Sequence, residues 1–508
     1  MRKILIISAV IAFYLLFSII YIFPYHEQFP SPDEKVEYEF IKDFKIDSQI
    51  SFSRDPINNF NNPRHTYIFN NQLYPATFPY FYFESGVLAY FTYLPTLPII
   101  YSILLLFGFF LFSRKISNKN YLFIFPLISL FPIVLYWSGS FYNNILSLAL
   151  IILSLAMFFD FLDKRKNNYF ILFILFFSIC VLIRSELIIF SLIFALSYIF
   201  DSYIKKIKLS FFKVLFIFII PLFFVITVNY HIYGVIFKNP YDEGITLSYY
   251  KSSNNLPALI DRIFPIKENS FEILNNNLSL YILNFFNLFF FMSVIGIFYF
   301  IREKNTSFSK KFLIFGLIFI SILFYFIREG YYGYNDFSIR SSYPRYIMLV
   351  YILFMLFFSS FLLLNKNLSK KVRIILLASF LIWSLVIVSN ELVGVIKVKL
   401  EHAEFEKKMV NIIPQNSIII TNYWDKVFFP YYNILTFNHW NKTMENERFL
   451  LLLKELEKSN NKEVYIFHRN VQDWEFVKNE LNNEKINLTS IDEKSGLYKI
   501  IFLNKSSL

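Results

Sequence analysis

The 508-residue chain is 56% hydrophobic and only 17% charged, with a mean hydropathy of +0.47, too little charge to cover a soluble protein of this length. Its formal charge of +12 does not point to nucleic acid, because the basic residues fall in short clusters between apolar runs rather than on one soluble face. The single cysteine, Cys180, excludes a disulfide framework or a Cys-based zinc site, and no glycine-rich nucleotide loop occurs.

Along the chain, about eleven apolar runs approach the roughly 20 residues that cross a bilayer. They lie near 4–24, 86–112, 121–137, 144–162, 168–183, 186–203, 211–232, 280–301, 312–328, 345–364 and 374–395. The first is longer than the apolar core of a signal peptide and ends in Tyr21-Ile22-Phe23-Pro24 without a small-residue cleavage site, which predicts a retained helix. The fold class predicted is a polytopic α-helical membrane protein. With Arg2-Lys3 placed in the cytoplasm, the alternate short loops are all basic: Arg114-Lys115, Lys164-Arg165-Lys166, Lys205-Lys206, Lys310-Lys311 and Lys370-Lys371. The positive-inside rule then predicts a multi-pass protein of the cell membrane with a cytoplasmic N-terminus.

Residues 1–395 form the predicted transmembrane domain, with large extracytoplasmic loops at 25–85 and 233–279, and 396–508 a separate extracytoplasmic domain. In 34–46, Val36, Phe40, Ile41 and Phe44 share one helical face. In 256–264, Leu256, Leu259, Ile260 and Ile263 do the same. Both patterns suit helices lying on the membrane, or amphipathic helices against a soluble core. The tail alternates helix (about 397–411, 445–458, 471–482) with strand (417–421, 464–467, 497–502), as in a small α/β domain.

Three segments carry groups suited to chemistry. Pro30-Ser31-Pro32-Asp33-Glu34 sets two carboxylates just beyond the first helix. Such a pair serves as a general base or binds a cation, and it also caps a helix. Leu182-Ile183-Arg184-Ser185-Glu186-Leu187 puts an arginine and a glutamate into an apolar hairpin, where ionisable groups are costly unless they function or pair with each other. Arg340-Ser341-Ser342-Tyr343-Pro344-Arg345-Tyr346 follows the aromatic loop Tyr331-Tyr332-Gly333-Tyr334 and opens the tenth run. Arginine binds phosphate through a planar fork, and arginine and tyrosine also anchor helices at the interface. Asp242-Glu243 reads as a solvated turn. His65, beside Arg64, is a candidate ligand or base, and the other histidines make no metal-ligand spacing.

In this order and on this topology, the three segments resemble the GT-C superfamily of membrane glycosyltransferases, nearest to the protein O-mannosyltransferase and aminoarabinose-transferase group. Pro32-Asp33-Glu34 with the helix after it looks like that group's acidic first loop. Arg184-Ser185-Glu186 looks like its mid-chain hairpin motif, and Arg345-Tyr346 like the pair opening a late helix. There are departures: Ile347-Met348-Leu349-Val350 lacks the prolines usual after the pair, and the hairpin motif lacks its proline. The resemblance implies a hexosyltransferase that moves a sugar from a polyprenyl-phosphate-linked donor to a hydroxyl of a protein, lipid or glycan at the extracytoplasmic face. It implies Asp33 as the base, Glu34 as its orienter or as part of a divalent-cation site, and Arg184 and Arg345 as phosphate holders. Glu186, Tyr346, Arg340 and His65 complete the expected substrate-binding set. A transporter would show repeats and broken mid-membrane helices with buried charge, and no repeat is found. A polysaccharide polymerase or ligase would share this topology.

Overall fold

A computed structural model describes residues 2–23, 27–47, 52–53, 66–69, 72–75, 79–117, 119–233, 270–285, 287–304, 306–327, 339, 342–415, 417–421, 424–436, 456, 463–467, 486–492 and 496–502. These residues fall into two compact units. One comprises the described residues within 1–23, 92–237 and 251–395, the other those within 24–91, 238–250 and 396–508. The described residues of the first loop fall in the same unit as those of the tail.

Helix α1 (Arg2–Ile22) opens the first unit, burying Tyr14, Phe17 and Tyr21 while Leu5 and Leu16 stay exposed. The chain then enters the second unit through α2 (Pro32–Asp47), the short strands β1 (Phe52–Ser53), β2 (Thr66–Phe69) and β3 (Gln72–Pro75), and α3 (Pro79–Phe91). Both helices begin on proline, where a missing N–H costs nothing. The expected membrane-surface placement of 34–46 is corrected here. In α2 not only Val36, Phe40, Ile41 and Phe44 but also Glu34, Lys35, Glu37 and Glu39 are buried. Lys35 and Glu39 pair at 2.8 Å, Phe40 stacks on Phe429 at 6.4 Å, and the ring of Phe44 fills the space over Gly86 of α3. An apolar stripe does not by itself distinguish lipid from protein as its cover. The second such segment, 256–264, lies outside the described residues.

Back in the first unit, α4 (Leu97–Ile116) follows a tight turn at Leu94–Thr96, so the second apolar run is divided between the units. Pro132 splits the third run into α5 (Tyr121–Ser129) and α6 (Pro132–Trp137), because a proline cannot donate the next helical hydrogen bond. Then come α7 (Asn143–Lys164), α8 (Asn167–Ile183), a 3₁₀ turn at Ser185–Ile189, α9 (Phe190–Ile204) and α10 (Phe211–Tyr233). After them run α11 (Ser270–Leu278), which continues as a π-helix to Asn284, α12 (Leu288–Arg302), α13 (Phe308–Tyr325), α14 (Ser342–Tyr346), α15 (Met348–Leu364) and α16 (Lys370–Val410). Among the described residues, seven helices are long and apolar enough to cross a membrane, or eight if the bent pair Ser270–Asn284 and Leu288–Arg302 is one span. Helices α8 and α15 are shorter apolar helices. With the split third run, these account for the expected apolar runs one by one, and the protein is a polytopic helical membrane protein.

Burial sorts the helices. The apolar residues of α7 and α15 are buried almost throughout, so these two form the bundle's core. Helices α10 and α16 keep Phe211, Phe212, Phe223 and Ile382 exposed, as lipid-facing helices do. Gly296 of α12 meets the Phe357 carbonyl of α15 so closely that no side chain fits between them, the small-residue contact by which membrane helices pack. At the Lys164 end of α7, Asp160 binds Lys115 at 2.7 Å and Lys164 at 2.9 Å. Asp201 of α9 pairs with Arg165 and with Lys205 at 3.1 Å and accepts a bond from the Ser309 hydroxyl at 2.8 Å.

Helix α16 has 41 residues and so runs about 60 Å, twice the hydrocarbon thickness of a bilayer. Its last part, from Ile396, belongs to the second unit. There α17 (Asp425–Phe428) accompanies a five-stranded sheet of order β5-β4-β6-β8-β7, formed by β4 (Ile418–Thr421), β5 (Asn433–Thr436), β6 (Val464–Phe467), β7 (Ile486–Asp492) and β8 (Leu497–Phe502). β4 runs parallel to β5 and β6, while β8 runs antiparallel to β6 and β7. The expected strands are the three central ones, and the strands the pattern did not reveal, β5 and β7, are the edges. β7 (INLTSID) is mostly exposed and polar, as edge strands often are. The expected helices at 445–458 and 471–482 fall almost wholly outside the described residues.

Candidate functional site

The site lies in the first unit at the Asn143 end of α7, about 33 Å along the helix from its Lys164 end. Arg184 is the residue that follows the last turn of α8. Its N–H still bonds the Cys180 carbonyl at 2.9 Å, after which the backbone leaves helical geometry and the 3₁₀ turn begins. The side chain is buried. Its Nε donates to Glu186 Oε1 at 2.7 Å, Nη2 donates to the same oxygen, and Nη2 also donates to the Tyr325 hydroxyl at 3.2 Å.

Arg345 arrives from the other side, on the single turn α14, and is buried as well. Its guanidinium stands 3.9 Å from the ring centre of Tyr142, 5.6 Å from Trp137 and 5.2 Å from Tyr346, and Nη2 donates to the Tyr346 hydroxyl at 3.3 Å. The guanidinium of Arg184 lies 4.8 Å from the same Tyr346 ring, which stacks on Tyr325 with centroids 6.4 Å apart. One tyrosine therefore contacts both arginines. Two like charges come this close because ring quadrupoles, hydroxyls and one carboxylate take the place of water around them.

Both arginines line one small cavity of about 30 Å³, with Asn144, Ser147, Tyr325 and Tyr346 among the residues around it. That is space for about two waters. Among the described residues its lining carries two guanidinium groups and no carboxylate. Arginine stays protonated at any working pH, so the lining presents fixed forks of donors, and the chemistry this offers is recognition of an anion with planar or tetrahedral oxygens.

The residues expected from sequence divide clearly. Arg184, Arg345 and Tyr346 come together at the cavity, and Glu186 flanks Arg184 without lining the cavity. Glu34 is in the second unit, buried at the start of α2, where the ammonium of Lys399 attracts it. Asp33 is in the first turn of the same helix, and its side chain lies outside the described residues. Arg340, His65 and the Asp242-Glu243 pair also fall outside them. Among the described residues, no three His, Cys, Asp or Glu side chains gather as a metal site. Sequence reasoning missed Trp137, Tyr142, Asn144, Ser147 and Tyr325. Asn144, Ser147 and Ile151 follow i, i+3, i+7 spacing, so two polar residues lead one face of a mostly apolar helix, and that was a readable signal.

No family model and no curated protein sequence matches the chain. Solved structures do. The structure of ArnT from Cupriavidus metallidurans bound to undecaprenyl phosphate aligns over 97% of both chains, with a TM-score of 0.57 and 10% identity. The oligosaccharyltransferase of Archaeoglobus fulgidus in its apo form aligns over 91% of this chain and 69% of its own, with a TM-score of 0.52 and 12% identity. The same archaeal enzyme in complex with an inhibitory peptide and a dolichol-phosphate gives a TM-score of 0.50. The chain has the GT-C fold. In this GT-C bundle the arginine cavity is formed by α7, α13, the α8–α9 hairpin and the start of the α14–α15 segment, regions far apart in sequence.

Proposed function

We propose that the protein is a membrane glycosyltransferase that takes a sugar from a polyprenyl-phosphate-linked donor and passes it to an acceptor hydroxyl at the extracytoplasmic face. The observation that carries this is the convergence of Arg184 and Arg345, from two distant segments, on one cavity without an acidic lining residue among those described. The fold supports it, since two GT-C neighbours were solved with a polyprenyl phosphate bound. In the proposed reaction the acceptor hydroxyl gives its proton to Asp33, and its oxygen attacks the anomeric carbon. The bond from that carbon to the phosphate oxygen breaks, and the polyprenyl phosphate leaves with the electron pair. Arg184, Arg345 and the Tyr346 hydroxyl stabilise the charge that develops on the phosphate. Glu34, which attracts Lys399, either orients Asp33 or joins it in a divalent-cation site.

The test is Asp33→Asn in membranes supplied with a polyprenyl-phosphate sugar and a hydroxylated acceptor. Asparagine caps a helix as well as aspartate does but takes no proton at neutral pH. Transfer should fall by roughly 10²–10⁴-fold with normal expression. A fully active variant would remove Asp33 from the mechanism. Treatment with a chelator separates the two roles of Glu34: loss of activity would place a cation at Asp33 and Glu34, and unchanged activity would leave Glu34 as the orienter. Reporter fusions after Lys166, Lys208 and Lys371 should read cytoplasm, and one after Leu508 exterior.

A further inference from the structure

Glu186 holds Arg184 as an anionic ligand would. Two donors of the guanidinium, Nε at 2.7 Å and Nη2, converge on one oxygen of its carboxylate. The two ends of this pair differ in freedom. The arginine side chain is 6% exposed and the glutamate side chain 21%. Arg184 has other supports as well: the Tyr325 hydroxyl at 3.2 Å and the faces of Tyr346 and Tyr325 at 4.8 and 5.9 Å. Withdrawal of the carboxylate would therefore leave the guanidinium in place with Nε open. We propose that Glu186 is an internal competitor for the anion site: it occupies Arg184 when the cavity is empty and yields it to the phosphate of the ligand. This rests on the phosphate reading of the cavity proposed above.

The consequence is a site whose hold on phosphate is weakened by design of charge. Paired to Arg184, the Glu186 carboxylate offsets that arginine's charge, and an incoming phosphate meets a like charge beside Arg184. Such repulsion shortens the residence of a phosphate-bearing product, because the carboxylate returns to the fork as the phosphate departs. Without that carboxylate the site would retain the phosphate longer after sugar transfer. Glu186 is thus a residue that sets release, and its removal should strengthen binding, an effect that mere loss of a structural contact does not produce.

The experiment measures binding by the full-length protein in detergent micelles. The probes are a short-chain polyprenyl monophosphate, the matching phosphate-free polyprenol, and inorganic phosphate. Glu186→Gln and Glu186→Ala should each bind the monophosphate roughly tenfold more tightly than the natural protein, mainly through slower dissociation, with the polyprenol unaffected. Asp163→Asn, the same change of charge at the other end of the bundle, should leave binding unchanged. Tightening with inorganic phosphate alone would support the exchange and identify free phosphate, not a lipid head group, as its ligand. If the natural protein binds the monophosphate in preference to the polyprenol and both Glu186 variants bind it equally or less well, the competitor role is overturned while the phosphate site stands. If neither the natural protein nor any variant distinguishes monophosphate from polyprenol, the phosphate site itself is wrong and the inference goes with it. The two neutral variants differ in size, so either one that elutes as a folded, monodisperse protein decides the matter.

Discussion

The two ends of α7 use charge in opposite ways. At the Lys164 end, buried carboxylates are surrounded by cations: Asp160 by Lys115 and Lys164, Asp201 by Arg165 and Lys205. At the Asn143 end, the buried guanidinium of Arg184 pairs with the partly exposed carboxylate of Glu186, and both it and the buried guanidinium of Arg345 stand against aromatic rings. Ion pairs of the first kind tie α4, α7 and α9 together. Cations held by rings and hydroxyls keep most of their charge available to a third party, because a quadrupole stabilises a cation without neutralising it. One end holds helices together; the other, on the function proposed above, holds an anion.

Substitutions at the two ends should separate binding from stability. The largest effect is expected at Arg345. Arg345→Ala should weaken polyprenyl monophosphate binding by about 100-fold, the loss of charge-assisted hydrogen bonds worth about 3 kcal/mol. Arg345→Lys keeps the charge but loses the planar fork and its stacking on Tyr142, and should recover only part of that. Titration calorimetry or a fluorescent lipid-phosphate assay reads both. Equal binding by all three proteins would break the contrast at its functional end.

Asp201→Ala attacks the opposite end. It leaves Arg165 and Lys205 without their shared acid and should lower stability by about 2–4 kcal/mol, somewhat below the range for fully buried pairs because both cations are partly exposed. Thermal unfolding in detergent measures the loss, and the surviving folded fraction should bind the lipid phosphate normally. A binding defect with unchanged stability would reverse the two roles.

Tyr142 sharpens the contrast at smaller scale. Tyr142→Ala removes the nearest ring from Arg345, an interaction worth about 1–2 kcal/mol when desolvated, and should weaken anion binding by about tenfold. Tyr142→Phe keeps the ring and should stay within about twofold. If the hydroxyl matters as much as the ring, the support is hydrogen bonding and not cation–π attraction.

The smallest effect concerns an ion pair in water, in the second unit. The Glu463 carboxylate is held below its usual range by bonds from the Lys499 ammonium and the Tyr465 hydroxyl. Its folded value is the depressed one, so its contribution is present above the usual carboxylate range and is lost as pH falls through that folded value. Glu463→Gln should change stability by less than about 0.5 kcal/mol at pH 7, and the difference should vanish once the pH lies below the carboxylate's depressed folded value. Hydrogen exchange of the β6–β8 ladder at pH 7 and below that value measures it. An effect comparable to that of Asp201→Ala would mean that burial does not decide what these pairs are worth.

What the sequence by itself determined is whatever depends on composition and local periodicity. Among the described residues, apolar runs marked the candidate membrane helices, since burial of the backbone in lipid demands helices and helices of that length demand long apolar stretches. Arg184 and Arg345 were also legible one at a time, because a charge in an apolar context is costly and stands out. Tertiary structure decided the rest. The apolar stripe of α2 looked like a membrane-surface helix, yet Phe40 meets Phe429 and its cover is protein, a choice that no local pattern encodes. The break at Leu94–Thr96 gave part of one apolar run to the second unit, which only the packing of Phe44 over Gly86 reveals. Trp137 and Tyr142 were ordinary aromatics among 103 tyrosine and phenylalanine residues and five tryptophans. They became parts of the site only when the bundle set Arg345 against their faces. A sequence displays the cost of a buried charge, while the groups that repay it come from distant segments and are known only once the chain is folded.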